Sequence, residues 1–443
     1  MKRLLPLVIL MVMGAMLMIS WSNISNAKTE ETEKYNTLMQ QAEAFESKKI
    51  YIDAVSKYEA ALKLKPEYSL AQHVAELYQS LNNSGGYIKA LETAISCDPT
   101  NPEPYFQIIE QYKKAESAAK LYHFVKRTES ALADSDRITP EQTQEIEELL
   151  KFLLSRITVH PVSFDEFYGF HPYDGSGVAY CKVREGDKYG ILKDDLSTFT
   201  KCIFPEIGYP NANVMPILWN DERYYMDNAG YRKIVTDSPA TAIGAFGAGF
   251  APVQIDGKYG YIDTKMKSYH FEYDYAGSFE RGIAAVQQNG KWFAINTQFA
   301  QVGPSFDEIL IDAYGFCSTY GVYFGRSGSS WGMYNTSGAK IADGFEEVRQ
   351  FASTQPAAVK QDGKWGFLSL SGEMVLAPQF EEADSFSIGY APVKQGELWG
   401  YINQEGKMLV DPQFKSLTPF NAKGCAIGEN ESGLCSVRIT QYS

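Results

Sequence analysis

One phrase recurs along residues 159–443, and this repetition limits the folds open to the chain more than any other feature. A large residue followed by glycine marks each copy, most clearly at Trp331-Gly332, Trp365-Gly366 and Trp399-Gly400. The large residues are Tyr189, Tyr224, Tyr259, Trp292, Trp331, Trp365, Trp399 and Leu434. They follow one another at intervals of 35, 35, 33, 39, 34, 34 and 35 residues. Spacing of this regularity predicts eight copies of one supersecondary unit.

The residues of each copy favour short antiparallel strands. An alternating apolar segment precedes Asp256-Gly257, Asn289-Gly290 and Asp362-Gly363, which are typical of two-residue hairpin turns. We expect the large residue to supply apolar surface shared by neighbouring units, and the glycine after it to let a strand or ring approach closely. Because a single hairpin is unstable in water, the units must stack on one another. The predicted structural anchors are Tyr189, Tyr259, Trp292, Trp331, Trp365 and Trp399, with Gly190, Gly260, Gly332, Gly366 and Gly400.

On these residues the segment resembles the WG-repeat family of bacterial β-repeat proteins, named for its Trp-Gly pair. Tyr224-Tyr225, Trp292-Phe293 and Leu434-Cys435 depart from the pair, so units two, four and eight are degenerate. The resemblance implies an all-β array and repeat-mediated interactions, and it provides no catalytic residues.

The two ends of the array indicate how it closes. Residues 159–166 resemble the Pro-x-Phe strand of residues 302–308, and unit eight lacks this strand before the chain ends. A first strand that completes the last unit is how β-propellers remove exposed sheet edges. We therefore expect a propeller of about eight units. The alternative is an open β-superhelix, because about 35 residues is short for a four-stranded blade.

Residues 28–158 are predicted to be helical, so the chain is an α+β multidomain protein. Small and apolar residues in the 34-residue register resemble a tetratricopeptide repeat, and these are Leu38, Ala42, Phe45, Ala54, Tyr58, Ala61 and Pro66. Residues 82–86 predict a longer turn and a shorter second helix in the next repeat. Thr139-Pro140-Glu141-Gln142 predicts a capping box before the last helix. This α-helical solenoid either offers a groove that binds a peptide or partner helix, or serves only as a rigid spacer before the β-domain. Both interpretations stay open.

Residues 1–27 have the pattern of a secretory signal peptide. Lys2 and Arg3 precede an apolar run over residues 4–19, and Ser25-Asn26-Ala27 offers a cleavage site before the mature chain. The alternative is a membrane anchor formed by residues 4–21. Export predicts a periplasmic, cell-surface or secreted protein.

An oxidising compartment would favour disulfide bonds between suitably placed cysteines. Cys181 with Cys202, and Cys425 with Cys435, are close enough in sequence to bridge neighbouring strands. The alternative is that all four are small buried core residues.

No motif indicates catalysis, a metal or a cofactor. Gly328-Ser329-Ser330-Trp331-Gly332 matches a nucleophile elbow, but it occupies the Trp-Gly slot of the repeat. The five histidines are scattered, and no titratable residues converge in the sequence on a site within a propeller channel. Glu346-Glu347 and Glu381-Glu382 share one repeat position, which favours a solvated strand face over an acid/base pair.

The net charge of −13 disfavours nucleic acid and anionic membranes as partners. We expect a non-catalytic exported repeat protein that acts as a protein–protein interaction scaffold in the cell envelope or outside the cell, with a partner of unknown identity. The alternative is a carbohydrate- or cell-wall-binding protein whose repeat aromatics stack on a glycan.

Overall fold

The computed structural model describes residues 28–171, 178–235, 239–440 and 442. The predicted signal peptide, residues 1–27, lies outside these residues. Contacts divide the chain into a helical unit, which ends at Leu153 and includes Tyr442, and a β unit that begins at Leu154. The predicted boundary at 158/159 falls within the first strand of the β unit. Among the described residues, no helix is both long and apolar enough to span a bilayer.

The helical unit consists of three helical hairpins followed by a single helix. Helices α1 to α7 span residues 28–47, Tyr51–Leu64, Tyr68–Ser80, Ser84–Cys97, Glu103–Lys114, Ala118–Leu132 and Pro140–Leu154. Small residues that the repeat pattern predicted, among them Ala42, Ala54 and Ala61, are fully buried in one continuous core. Their size lets neighbouring helix backbones approach closely, which is the packing that a tetratricopeptide-like hairpin requires.

The second hairpin corrects the sequence prediction of a shortened helix. α4 has 14 residues, as many as α2, because the Asn83 side chain caps it and accepts a hydrogen bond from Gly86 N at 2.9 Å. A Cβ atom at Gly86 would lie 2.3 Å from the Tyr78 ring, so this glycine lets the two helices pack. The polar and glycine residues at 82–86 therefore start a full-length helix.

The last helix begins with the predicted capping box. The Thr139 backbone N–H donates to Gln142 Oε1 at 3.0 Å, and the Gln142 N–H donates to Thr139 Oγ1 at 3.2 Å. These reciprocal bonds satisfy two of the N–H groups that a helix start leaves without partners.

The β unit contains eight antiparallel sheets, numbered here as blades 1 to 8 in chain order. In most of them a two-residue strand is followed by three longer ones. The first strand of the unit is β1, Ile157–Pro161. Blade 1 comprises β2 Glu166–Phe170, β3 Tyr180–Glu185, β4 Lys188–Lys193 and β5 Thr198–Phe204; blade 2 comprises β6 Glu206–Ile207, β7 Val214–Trp219, β8 Glu222–Asp227 and β9 Arg232–Val235. Blade 3 comprises β10 Ala242–Ile243, β11 Phe250–Ile255, β12 Lys258–Asp263 and β13 Ser268–Tyr273; blade 4 comprises β14 Tyr275–Ala276, β15 Ile283–Gln288, β16 Lys291–Asn296 and β17 Gln301–Phe306.

The remaining blades repeat this order, and blade 5 carries one additional strand. Blade 5 comprises β18 Glu308–Ile309, β19 Ser318–Thr319, β20 Val322–Ser327, β21 Ser330–Asn335 and β22 Lys340–Phe345; blade 6 comprises β23 Glu347–Val348, β24 Ala357–Gln361, β25 Lys364–Leu368 and β26 Met374–Phe380. Blade 7 comprises β27 Glu382–Ala383, β28 Ala391–Gln395, β29 Leu398–Ile402 and β30 Met408–Phe414; blade 8 comprises β31 Ser416–Leu417, β32 Cys425–Asn430 and β33 Gly433–Ile439, completed by β1.

The first strand of the β unit closes the ring, as predicted. β1 pairs antiparallel with β33, placing Ile157 opposite Ile439 and Pro161 opposite Cys435. The start of the unit thus supplies the fourth strand of its last blade. The unit is an eight-bladed β-propeller, and the alternative of an open superhelix was wrong.

The predicted anchors lie in the apolar cores between adjacent blades. Trp365 is 1% exposed and packs with Phe367 of its own blade and Phe386 of blade 7. Trp331 is also buried, whereas the other four predicted anchors are partly buried. The following glycines have the expected steric role, because a Cβ at Gly366 or Gly400 would lie 2.7 or 2.3 Å from a carbonyl oxygen of the next strand.

Neither predicted disulfide bond is formed, and all six cysteines are free thiols. β4 separates the strands of Cys181 and Cys202. In the pairing of β32 with β33, Cys425 lies opposite Arg438 and Cys435 lies opposite Gly428, so these two thiols are out of register. Closeness in sequence did not determine which residues face each other across the strands. Three of the four cysteines, Cys181, Cys425 and Cys435, are instead buried core residues, as the alternative prediction stated.

Candidate functional site

A loop of blade 5 occupies the region where several blades meet. The 39-residue interval in the sequence corresponds to residues 310–317, between β18 and β19. Tyr314 and Phe316 of this loop form one apolar cluster with Tyr209 of blade 2 and Ala245 of blade 3. We call residues 310–317 the central loop.

A buried ion pair attaches the central loop to blade 1. His171 Nδ1 lies 2.6 Å from Asp312 Oδ2, and Glu280 Oε2 lies 3.9 Å from His171 Nε2. Burial lowers the pKa of His171, but the two carboxylates outweigh it and raise the pKa to about 9. At neutral pH the imidazole is therefore protonated. Its ring also stacks on Phe316 at a centroid distance of 4.3 Å.

Backbone contacts fix the central loop on both sides. The Tyr314 hydroxyl donates to Gly169 O at 2.6 Å and accepts from Lys182 N at 2.7 Å. Opposite, Ser278 N donates to Gly315 O at 2.9 Å. A Cβ at Gly277 would lie 2.4 Å from the same oxygen, so blade 4 needs glycine there for the loop to dock.

Beside the central loop lies a cavity of about 350 Å³. Residues from blades 1, 5, 6, 7 and 8 and from the loops between strands line it. Aromatic and aliphatic groups form much of the wall, and they include Phe170, Phe351, Phe420 and Ile388. The charged lining residues are His171, Asp194, Asp312, Arg349 and Asp384.

Arg349 and Asp384 occupy one repeat position, directly after the two-residue strand of their blades. Their backbone N–H groups donate to Ala358 O and Pro392 O, each at 2.9 Å. The same backbone bond is made at 2.8 Å by three glycines in blades 2, 3 and 4, which are Gly208, Gly244 and Gly277. We call this the channel position, since its side chains in blades 6 and 7 line the cavity.

The two charged side chains of the channel position lie in different surroundings. The Arg349 guanidinium lies 4.5 Å from the centre of the Trp365 ring. Asp384 Oδ1 accepts a hydrogen bond from Ser385 N at 2.7 Å. Burial raises the pKa of Asp384 to about 6, although this backbone bond and the nearby Arg349 oppose the shift. At neutral pH the channel positions of blades 6 and 7 therefore present one cation and one carboxylate, in addition to the other charged residues of the lining.

The structure places charged residues that are far apart in the sequence around one cavity. The predicted anchors pack between blades, and none of them lines the cavity. Arg349, Asp384 and His171 were not predicted as site residues. Aligning the repeats would have identified the first two, because they are charged at a position that is glycine in blades 2, 3 and 4. No sequence signal pairs His171 with Asp312, which is 141 residues away.

The repeated carboxylates have a structural role that sequence reasoning missed. Asp307 and Glu346 accept hydrogen bonds from the hairpin-turn residues Gly328, at 2.7 Å, and Gly363, at 3.1 Å. Gly328 also opens the Gly-x-Ser-x-Gly match, which therefore lies on a β-hairpin. A nucleophile elbow requires a strand-to-helix turn, so this match is not one. In the part of the chain that the structure describes, no three His, Cys, Asp or Glu side chains are grouped to hold a metal ion.

One family model matches four segments of the β unit. Residues 259–292, 331–365, 365–399 and 399–427 match the family model described as "WG containing repeat". No curated protein matches the chain.

Among solved structures, the chain is similar to the Yersinia enterocolitica type III secretion chaperone SycD in complex with a peptide of the translocator YopD. The identity is 14%, covering 27% of this chain and 90% of that one, with a TM-score of 0.21. It is similar to the first TPR of Spaghetti (RPAP3) bound to an HSP90 peptide, with 14% identity over 27% of this chain and 94% of that one and a TM-score of 0.20. It is also similar to the β-propeller domain of Myceliophteria thermophila Cps50 (Swd1), with 8% identity over 60% of this chain and 93% of that one and a TM-score of 0.29. The β unit of this chain contains WG repeats.

Proposed function

We propose that the protein is an exported, non-catalytic scaffold that binds a protein partner through its helical unit. The observation that supports this is a row of exposed carboxylates at one repeat position. Glu43, Glu76 and Glu110 follow one another at intervals of 33 and 34 residues on the first helix of each hairpin, and all three are exposed. We call these three residues the acidic row.

Neighbouring contacts align the helices that carry the acidic row. The Tyr68 hydroxyl of α3 donates to Glu103 of α5 at 2.9 Å, and the Tyr35 hydroxyl of α1 donates to Glu67, just before α3, at 3.3 Å. Four residues before each member of the row stand Met39, Gln72 and Phe106, all partly exposed. Met39 and Phe106 are apolar, and Glu110 also pairs with Lys113 at 2.7 Å. A partly apolar surface with regularly spaced carboxylates suits an extended or helical segment that carries basic residues.

Two of the four repeat tryptophans are buried and the other two are partly buried, which favours this proposal over stacking on sugar rings. Trp331 and Trp365 are 8% and 1% exposed, so neither offers a free ring face to a glycan. The Arg349 guanidinium also lies over the Trp365 ring and covers one of its faces.

The test is capture from an envelope extract by the immobilised full chain. We expect a protein retained by the wild type to be lost from the variant Glu43→Gln/Glu76→Gln/Glu110→Gln. A matched control, Glu30→Gln/Glu31→Gln/Glu33→Gln, removes the same charge from exposed positions of α1 and should retain it. Capture that is equal in all three proteins, or that does not weaken with added salt, would contradict the acidic row as the binding surface.

Export is tested separately by cell fractionation and mass spectrometry of the full chain. We expect the protein outside the cytoplasm, with Lys28 as its first residue. A chain that keeps residues 1–27 would favour the anchor, and a cytoplasmic protein would contradict export. Burial raises the pKa of Cys181 and Cys317, which keeps these thiols protonated and poorly reactive in an oxidising compartment.

A further inference from the structure

The cavity in the β-propeller is lined by polar groups that mostly have protein partners already. The Asn421 amide donates to Asp194 O at 2.7 Å, and its carbonyl oxygen accepts from Lys423 N at 2.9 Å. Gln350 donates to Phe316 O at 3.2 Å, and Ser353 to Phe386 O at 2.8 Å. These groups hold the wall of the cavity in place.

Arg349 and Asp384 differ from these groups because their charged ends remain available to the cavity. Within the described ranges, the Arg349 guanidinium makes no hydrogen bond or ion pair. It lies over the Trp365 ring, and its charge also acts on the nearby Asp384. Asp384 receives one backbone hydrogen bond, on Oδ1, and its second carboxylate oxygen has none. Because no ion pair joins the two groups, their opposite charges offset the cost of burial only in part, and a ligand that pairs with both would lower that cost further.

The fold itself does not require either charge. Blades 2, 3 and 4 make the same backbone hydrogen bond with glycine at the channel position. Blades 5 and 8, which also line the cavity, make this bond with the uncharged Leu310 and Thr418, so of the blades that share the bond only 6 and 7 carry a charge there. Since other blades fold with glycine at this position, the charges of Arg349 and Asp384 are better explained by binding of a ligand than by a contribution to folding stability.

We propose that this cavity binds a small zwitterion of the α-amino acid class. Arg349 takes the ligand's carboxylate, since a planar guanidinium can donate two parallel hydrogen bonds to one carboxylate. Asp384 takes the ammonium group. The partly exposed Phe170 and Ile388 of the cavity wall contact the ligand's side chain. A volume of about 350 Å³ is at the small end of the range for ligand pockets and fits a molecule of this size. This site is independent of the acidic row and of the partner proposed for it.

The test uses the full chain and four probes: glycine, L-alanine, L-leucine and L-phenylalanine. Calorimetry measures binding, and tryptophan fluorescence measures the melting temperature of the propeller, because every Trp after residue 27 lies in that unit. We expect at least one probe with an apolar side chain to bind and to raise the melting temperature. L-Leucinamide lacks the carboxylate and N-acetyl-L-leucine lacks the ammonium group, and each should bind at least tenfold more weakly than L-leucine.

Variants then assign the two ends of the ligand. Arg349→Met and Asp384→Asn should each abolish the probe-dependent shift. The matched controls Arg326→Met and Asp343→Asn remove the same charges from blade 5 outside the cavity and should keep it; Arg326 also lies over its blade's anchor, 5.7 Å from the Trp331 ring. The proposal is overturned if none of the four probes binds, or if the two leucine derivatives bind as well as L-leucine. Both results come from the wild-type protein and so do not depend on how the variants fold.

Discussion

Two sides of the propeller use the channel position in opposite ways. On the side of blades 2 to 4 it is glycine, and the backbone of the central loop docks against Gly277. On the side of blades 6 and 7 it is Arg349 and Asp384, and a cavity remains between the blades and the loop. The hydrogen bond that holds the backbone is the same on both sides. Eight copies of one unit thus leave a position whose side chain is free to serve packing or binding.

The largest effect we expect comes from removing the charge that holds the central loop. Asp312→Asn keeps the Oδ1 atom that accepts from Tyr314 N and Phe316 N, but it takes the counter-charge from His171. Breaking a buried pair on one side costs about 3 kcal/mol. We expect a loss of this size in the free energy of unfolding of the propeller at pH 6, measured by tryptophan fluorescence in urea.

The pH dependence of this variant distinguishes the ion pair from simple packing. The pKa of His171 lies at about 9 in the folded protein, above its ordinary value of 6.5. The stabilisation is therefore complete below pH 6.5 and is lost as the pH rises through 9. Wild-type stability should fall toward that of Asp312→Asn over this range. A difference between the two proteins that is constant from pH 6 to 9 would contradict a charged His171.

A second prediction concerns the glycine side of the comparison. Gly277→Ala places a methyl group 2.4 Å from Gly315 O, a backbone atom that can move only if the central loop shifts. Forced overpacking of this kind costs about 1 to 3 kcal/mol. Urea unfolding followed by tryptophan fluorescence measures the loss. Arg349→Ala at the same position of blade 6 is the matched control, because a Cβ already fits there. Equal losses in the two variants would contradict a docking role for Gly277.

The repeat pattern predicted most of the propeller, because its information is local and is written eight times. The turn at Asp362-Gly363 has φ values of 52° and 73°, as a two-residue hairpin turn requires, and β1 completes blade 8 as its sequence indicated. The cavity could not be predicted in the same way. His171 meets Asp312 only through closure of the ring and through a loop that occurs once, so neither periodicity nor spacing encodes the contact.

A third prediction sharpens the charged side of the comparison. The pKa of Asp384 is raised from its ordinary 3.8 to about 6 by burial, while Arg349 opposes the shift and the buried Tyr401 faces the same carboxylate. Because the folded state holds this proton more tightly, its protonation stabilises the propeller fully below pH 3.8, and that contribution is lost as the pH rises through 6. Access from the cavity reduces the effect to about 1 to 2 kcal/mol. Asp384→Asn should abolish this part of the pH dependence in urea unfolding at pH 4 to 7, and an unchanged profile would contradict the assignment.

The smallest effect we expect is also the most direct test of what the channel position needs. Arg349→Gly gives blade 6 the residue that blades 2, 3 and 4 already carry, and the backbone N–H keeps its acceptor, Ala358 O. The variant loses the cation over Trp365, which is worth about 0.5 to 1 kcal/mol. The free energy of unfolding should therefore fall by no more than about 1 kcal/mol, whereas binding of the amino acid probes should be lost. A loss of stability as large as that of Gly277→Ala would mean that the Arg349 side chain is needed to hold blade 6 in place. The difference between the two sides of the ring would then reflect packing of the blades, and not binding of a ligand.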